Sequence, residues 1–310
     1  MCGIIGYLDK SGEPGTPLGE ILLRMLTPLG RRGPDSAGVA MFGISQEPNL
    51  VLRIKLGERG EFGEKGKSVA AQLGRLVPVH EQQVLSEYLR VIVGPVSNIH
   101  RLTQQVEELA TGLELVSMGS RLEIAKQVGS PENLEQSYRI RSFQGLHGIG
   151  HTRLSTESRV DLSHSQPFWG RGVPDLATVH NGHITNYHKL RRKYEQRGFR
   201  FYTENDSEII GIYLRDQMAH GLSFEESLWA SVDDFDGAFC YLAANSNFLA
   251  YVKDGFALKP LMVAESDTFV AVATEEVALR AIGSNGCGVF EPGVRQVHLW
   301  RVPDYAPERT

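Results

Sequence analysis

Cysteine is scarce: only Cys2, Cys240 and Cys287 occur in 310 residues, and no two stand in a CxxC pair. Three thiols cannot make a disulfide framework, and no paired spacing offers a zinc or iron–sulfur site. No apolar run approaches the roughly 18 residues of a membrane span. The opening MCGIIGYLDK lacks a basic n-region and a long apolar stretch, so no signal peptide is expected. Basic excess is missing too. Lys and Arg number 32 against 37 Asp and Glu, a net charge of −5 that argues against a general nucleic-acid binder. What is present is 41% hydrophobic and 22% charged residues, enough for one large or two modest domains with a sizeable core. A cytoplasmic protein is expected.

Along the chain, residues 1–8 read as a buried strand. Thr16-Pro17 looks like an N-cap with Pro at N1, and Leu18, Leu22, Met25, Leu26 and Leu29 follow at helical spacing. The stretch 44–144 is less regular. Its 57–67 portion is polar and Gly-rich and reads as an exposed loop. The 84–93 and 102–109 portions mix helix and strand signals, and Ser130-Pro131 opens a short helix. We expect 44–144 to be an insertion or subdomain within a single domain spanning 1–302, with 303–310 a C-terminal tail. From Gly148 the pattern sharpens into short strands at 149–153, 175–180, 238–244, 248–253, 261–264, 269–274 and 296–300. Helices are expected at 186–196, 206–218, 224–231 and 276–282. Strands joined by hairpin-length turns indicate a mostly antiparallel, layered α+β fold.

Cys2 is the first candidate for chemistry. Removal of Met1 would leave a thiol and a free α-amino group on one residue. An α-amine with an ordinary pKa of about 7.7–8.0 can serve as a base near neutrality, and a thiol with a built-in base is an activated nucleophile. On position alone, Cys2 reads equally as a small residue beside an N-terminal strand.

Five segments then occur in order: MCGIIGYL, RRGPDSAGVA, GHTRLSTES, HNGHITN and ENDSEII. With the cysteine at position two, they resemble the class II glutamine amidotransferases, whose glutaminase domain is an N-terminal-nucleophile hydrolase. DFDGAFCYL, KDGFALKPL and VATEEVAL add to the likeness, which covers 1–42 and 148–282 but not the middle stretch. The resemblance implies a four-layer αββα sandwich with antiparallel sheets. It also implies hydrolysis of L-glutamine to L-glutamate and ammonia, with Cys2 attacking the side-chain amide. The oxyanion would be held by the Asn181 side-chain amide and the Gly182 backbone N–H, Gly182 allowing close backbone approach. Asn-Gly also favours a tight turn. Arg153 would clamp the substrate α-carboxylate through its fork-shaped guanidinium, although a strand-end surface arginine is the plainer reading. Asp206 would hold the α-ammonium, or cap a helix starting near Ser207, or do both. Arg32 and Asp35, in the loop that lines the mouth of such sites, are expected to be structural.

There are departures. Leu154 stands where the family often has an aromatic, and Glu157 where some members have histidine. RLST followed by Ser165-Gln166-Pro167-Phe168 looks closer to the glutaminase domain of glutamate synthases. The resemblance extends to the separate glutaminase subunit of split glutamate synthase-like systems, including N-methylglutamate synthase. No synthase domain, GxGxxG loop or phosphoribosyltransferase signature is visible. Ammonia would therefore be channelled to a synthase subunit in a hetero-oligomer. FMN and iron–sulfur centres are expected on that partner, and no cofactor or metal on this chain. A sugar-phosphate or phosphoribosyl acceptor, and a non-catalytic assembly subunit of the same fold, are the competing expectations.

Overall fold

The computed structural model describes residues 2–13, 15–58, 60–155, 159–284 and 286–305. The expectations about Met1, Glu157 and the last five residues of the tail lie outside them. In chain order the strands are β1 (Gly3–Asp9), β2 (Ser36–Phe42), β3 (Leu50–Lys55), β4 (Val79–Leu85), β5 (Tyr88–Val93), β6 (Glu114–Gly119), β7 (Leu122–Val128) and β8 (His147–Arg153). They continue with β9 (Phe168–Trp169), β10 (Ala177–Ile184), β11 (Gly237–Ala244), β12 (Phe248–Lys253), β13 (Met262–Glu265), β14 (Phe269–Ala273), β15 (Val289–Phe290) and β16 (Val297–Arg301). The helices are α1 (Leu18–Leu29), α2 (Gly63–Leu73), α3 (Ile99–Glu108), α4 (Pro131–Tyr138), α5 (Tyr187–Gln196), α6 (Glu208–Ala219), α7 (Phe224–Asp234) and α8 (Glu276–Arg280). Among the described residues, no helix is long and apolar enough to cross a membrane.

The strands form three sheets. The first runs β15-β13-β14-β1-β8-β2-β7 and the second β16-β12-β11-β10-β9. Every strand pairing in them is antiparallel. β1 and β8 of the first sheet pack on β10 and β11 of the second. Helices α1, α4 and α8 cover the outer face of the first sheet, and α6 and α7 that of the second. The layers are thus helix, sheet, sheet, helix, an α+β sandwich. Because both sheets are buried on two faces, β1, β2 and β11 are largely apolar rather than alternating, while β8 and β10 carry the buried polar residues. Ile4, Ile5 and Leu8 of β1, and Val39, Ala40 and Met41 of β2, are fully buried.

The third sheet, β4-β5-β3-β6, is built wholly from 79–119 and the 50–55 strand. The same middle stretch also supplies β7, the edge strand of the first sheet, so its end is woven into the sandwich. The 57–67 portion is not all loop: α2 begins at Gly63 and buries Val69, Ala70 and Leu73 against β4 and β5. Its three-residue apolar stripe is too sparse to stand out in a polar window. The 84–93 portion is a hairpin, β4 to β5, turning at Ser86, which has φ 50°. Thr16 does not cap α1. Its hydroxyl donates to Asp9 Oδ2 at 2.7 Å, and Pro17 occupies the cap position without a side-chain bond.

Two buried carboxylates join the third sheet to the sandwich. Glu123 on β7 accepts from Arg53 Nε at 2.9 Å and from Arg90 Nε at 3.0 Å, reaching β3 and β5. Asp175, just before β10, accepts from the backbone N–H of Ser120, Arg121 and Leu122 and from the Ser120 hydroxyl, all within 2.8–3.0 Å. Those four donors make up the β6–β7 turn. Leaving buried donors unpaired costs about 1–3 kcal/mol per group. Asp175→Ala should therefore lower unfolding stability by at least about 3 kcal/mol by denaturant titration. Asp175→Asn, which retains one acceptor oxygen, should lose less. A loss in the alanine variant within about 0.5 kcal/mol, as at an ordinary surface site, would show that the turn does not depend on this carboxylate.

Candidate active site

The pairing of β1 with β8 sets Gly3 opposite Thr152. Cys2, one residue before β1, therefore emerges beside the end of β8, where Arg153 and Leu154 leave the sheet. The Cys2 Sγ lies 3.8 Å from the Leu154 carbonyl oxygen. The Cys2 carbonyl accepts from Arg32 Nε at 3.4 Å, and Arg32 also pairs with Glu275. Asp35 Oδ2 accepts from the Ser155 N–H at 2.7 Å. Arg32 and Asp35 thus brace the two chain segments that meet at the thiol.

Cys2 and Arg153 line a cleft of about 690 Å3 together with Asn181, Gly182 and Asp206. All five residues singled out in the sequence open onto this one cavity. Arg153 is 4% exposed and donates to the Arg159 carbonyl at 2.7 Å. Burial lowers its pKa, while Cys2, Asp161 and Asp35 pull the other way. An arginine remains cationic at neutral pH under such a shift.

Asn181 and Gly182 lie within β10, not in a turn. They pair with Cys240 and Phe239 of β11. Asn181 is 4% exposed, and its side-chain Nδ2 has no hydrogen-bond partner among the described residues. A buried amide donor left unsatisfied is costly, so this one is held ready for something that enters the cleft. Gly182 has φ +133°, a conformation that disfavours any side chain. A Cβ there would also stand 2.3 Å from the Ala238 carbonyl oxygen. The glycine is required by the neighbouring strand as well as by any approach of substrate.

Asp206 does not cap α6 with its side chain; its Oδ2 accepts from the Ile184 N–H at 2.9 Å. It lies 3.5 Å from His183 Nδ1 and 3.8 Å from His180 Nδ1. Gln166 was not among the sequence candidates, yet it holds β10 in place. Its Oε1 accepts from His180 N at 2.7 Å, and its Nε2 donates to the His180 carbonyl and to Ser207 Oγ. His180 Nδ1 meets the same Ser207 hydroxyl at 2.8 Å, and burial depresses the His180 pKa, so the ring is neutral near pH 7. A buried glutamine, serine and histidine thus fix the backbone that carries Asn181. The nearest sequence signal was Ser165-Gln166-Pro167-Phe168, which by itself carries no hint of which strand Gln166 would grip.

Residues 151–281 match the sequence model of a glutamine amidotransferase domain. Over 91% of this chain and 94% of the relative, the sequence is 37% identical to a "Putative glutamine amidotransferase" of Methanothermobacter thermautotrophicus. It is 30% identical to the glutamine amidotransferase-like protein GlxB of Rhizobium meliloti over 97% of this chain and 98% of that one. Among solved structures, the glutamine phosphoribosylpyrophosphate amidotransferase of B. subtilis superposes with a TM-score of 0.61 at 17% identity. That match covers 96% of this chain and 47% of the other, so the chain spans about half the length of that larger protein.

One rim of the cleft carries a titrating contact. His164 Nδ1 lies 2.7 Å from Asp161 Oδ1, and its Nε2 lies 2.9 Å from Glu204 Oε2. The hydrogen bond to Asp161 is the main reason the His164 pKa is raised, Glu204 adding to it against burial. A raised folded-state pKa stabilises the fold fully below the unfolded value of about 6.5, and the gain is lost as pH climbs through the folded value. The stability difference between wild type and His164→Gln should therefore be largest below pH ~6 and shrink at alkaline pH. Thermal unfolding of both proteins across pH 5–9 checks this; a difference that grows with pH would show the ring to be neutral in the folded state.

Proposed function

This chain belongs to the class II glutamine amidotransferases, and on that premise we propose a residue-level reaction and a destination for its ammonia. Cys2 attacks the carboxamide carbon of L-glutamine. Removal of Met1 gives it a free α-amine, which takes the thiol proton and passes it to the departing nitrogen. The C–N bond breaks, ammonia leaves, and a thioester remains on Cys2. Water then cleaves the thioester to release L-glutamate and restore the thiol. The negative charge of each tetrahedral intermediate rests on Asn181 Nδ2 and the Gly182 N–H. Arg153 pairs with the substrate α-carboxylate and Asp206 with its α-ammonium.

The observation that carries this reading is the buried, unpartnered Asn181 amide at the cleft that Cys2 also lines. A donor already fixed where charge develops spends nothing on reorganisation at the moment of reaction. Cys240 does not compete for the nucleophile's role, because it is fully buried and its thiol is pushed up to about 12 by that burial.

The ammonia, in this proposal, goes to a synthase subunit of glutamate synthase-like or N-methylglutamate synthase type in a cytoplasmic hetero-oligomer. In this reading FMN and iron–sulfur centres belong to that subunit; for the clusters the reason is that each needs about four thiolate ligands and this chain has three separated cysteines. Supporting a docking face near the cleft, Phe256 and Leu258 are 66% and 71% exposed just before Lys259, which lines the cavity. Exposed apolar side chains beside a site are a mark of protein contact.

Asn181→Ala should cut kcat by about 100- to 1,000-fold with little change in KM, the signature of a donor used in the transition state. Arg153→Lys should instead raise KM for glutamine. An unchanged kcat in the first variant would remove Asn181 from the oxyanion site. With the purified partner present, amide-15N-glutamine should deliver labelled nitrogen to the product against excess unlabelled ammonia; full dilution of the label would contradict channelling.

A further inference from the structure

A second cavity, of about 250 Å3, lies away from the glutamine cleft. It is enclosed by α3, the turn after β9, the 197–202 segment and the middle of α6. Its charge is unusual for a chain with net charge −5. Four arginines line it: Arg171, Arg197, Arg200 and Arg215. We propose that this pocket binds the phosphate group of a small phosphorylated ligand.

The cations there outnumber the acids that answer them. Arg171 pairs with Glu107 at 2.8 Å and Glu114 at 3.0 Å, but Glu114 also answers Lys55 at 3.3 Å. Arg197 is matched by a bidentate pair to Asp216, at 2.7 and 2.6 Å. Among the described residues Arg200 forms an ion pair only with Glu107, at 3.8 Å, and its side chain is 74% exposed. Arg215 makes no ion pair among the described residues; it donates to the Arg171 carbonyl at 3.0 Å. Arg200 and Arg215 thus lack a close carboxylate partner of their own, Asp216 attracting Arg215 only through space, and such charges around a small concavity favour an incoming anion.

The arginines are also held in place. Arg171 stacks on the Tyr202 ring at 3.4 Å, with Arg200 at 4.7 Å from the same centroid. Arg215 and Arg197 lie 5.0 and 5.4 Å from the Phe199 ring. Such stacking removes side-chain freedom before a ligand arrives, so less is lost on binding. Guanidinium forks match phosphate oxygens bidentately. The volume is below the usual 300–1,000 Å3 of a drug-sized site, which suits a phosphoryl group rather than a whole nucleotide. Tyr202 lies four residues before Asp206, so a bound phosphate would stiffen the segment that carries a cleft carboxylate.

The test is calorimetric titration of the full chain with inorganic pyrophosphate, at constant ionic strength set with chloride. Saturable one-site binding is expected, at least tenfold weaker in Arg215→Gln and in Arg200→Gln, with Arg215→Lys in between. Neither arginine is needed for an ion pair that folds the chain, and circular dichroism should confirm an unchanged fold. Pyrophosphate binding should survive in Cys2→Ala and in the presence of saturating glutamine, which separates this pocket from the cleft. No saturable binding, or equal affinity in both glutamine variants, would overturn the proposal. So would loss of pyrophosphate binding on adding glutamine. Binding confined to an acidic surface of a partner protein, with pyrophosphate inert, would overturn it as well.

Discussion

The pairing of Gly3 with Thr152 fixes where Cys2 meets the cleft. β1 sits between β14 and β8 in the first sheet, paired over residues 5–9 with one and 3–8 with the other. A slip of one residue in either pairing would turn every side chain of β1 to the opposite face, moving Ile4 and Ile5 out of their layers. With the register locked, Cys2 must leave the sheet beside Arg153, where Arg32 meets its carbonyl. The same register places the Asp35 carboxylate under Ser155 and Arg32 against the Cys2 carbonyl. The sandwich is therefore the instrument that positions a thiol and a cation at one point.

The opposite wall of the cleft is held differently. β10 belongs to the second sheet, and its Asn181–Gly182 step is shaped by strand β11 on one side and by Gln166 and Ser207 beneath. The positive φ of Gly182 costs nothing to glycine and would strain any other residue. Among the described residues, the buried Asn181 Nδ2 and His180 Nε2 of this step have no hydrogen-bond partner, and both residues line the cleft. Low dielectric strengthens whatever hydrogen bond such a donor eventually makes.

Much of this was legible in the residues. Five ordered segments were enough to name the fold and the five cleft residues, because each segment is short and its meaning is carried by neighbours in sequence. What failed to read were features decided by distant strands. Asn181-Gly182 looks like a turn in isolation, and only pairing with β11, more than fifty residues on, makes it part of a strand. Asp206 looks like a helix cap, yet its carboxylate is taken by the Ile184 N–H. α2 was hidden in a polar window because only one narrow stripe of it touches β4 and β5. Gln166 stands in a segment that marks kinship, but its grip on His180 follows from how a loop folds against β10 and has no local signature.

The central claim is that the Cys2 thiol, freed of Met1, is the nucleophile that attacks glutamine. The most direct measurement is mass spectrometry of the protein after reaction with a diazo-ketone analogue of glutamine. A single adduct on Cys2 is expected, on a chain lacking Met1, formed in step with loss of glutaminase activity and blocked by excess glutamine. An adduct on Cys240 or Cys287, or full activity from a chain that retains Met1, would contradict it.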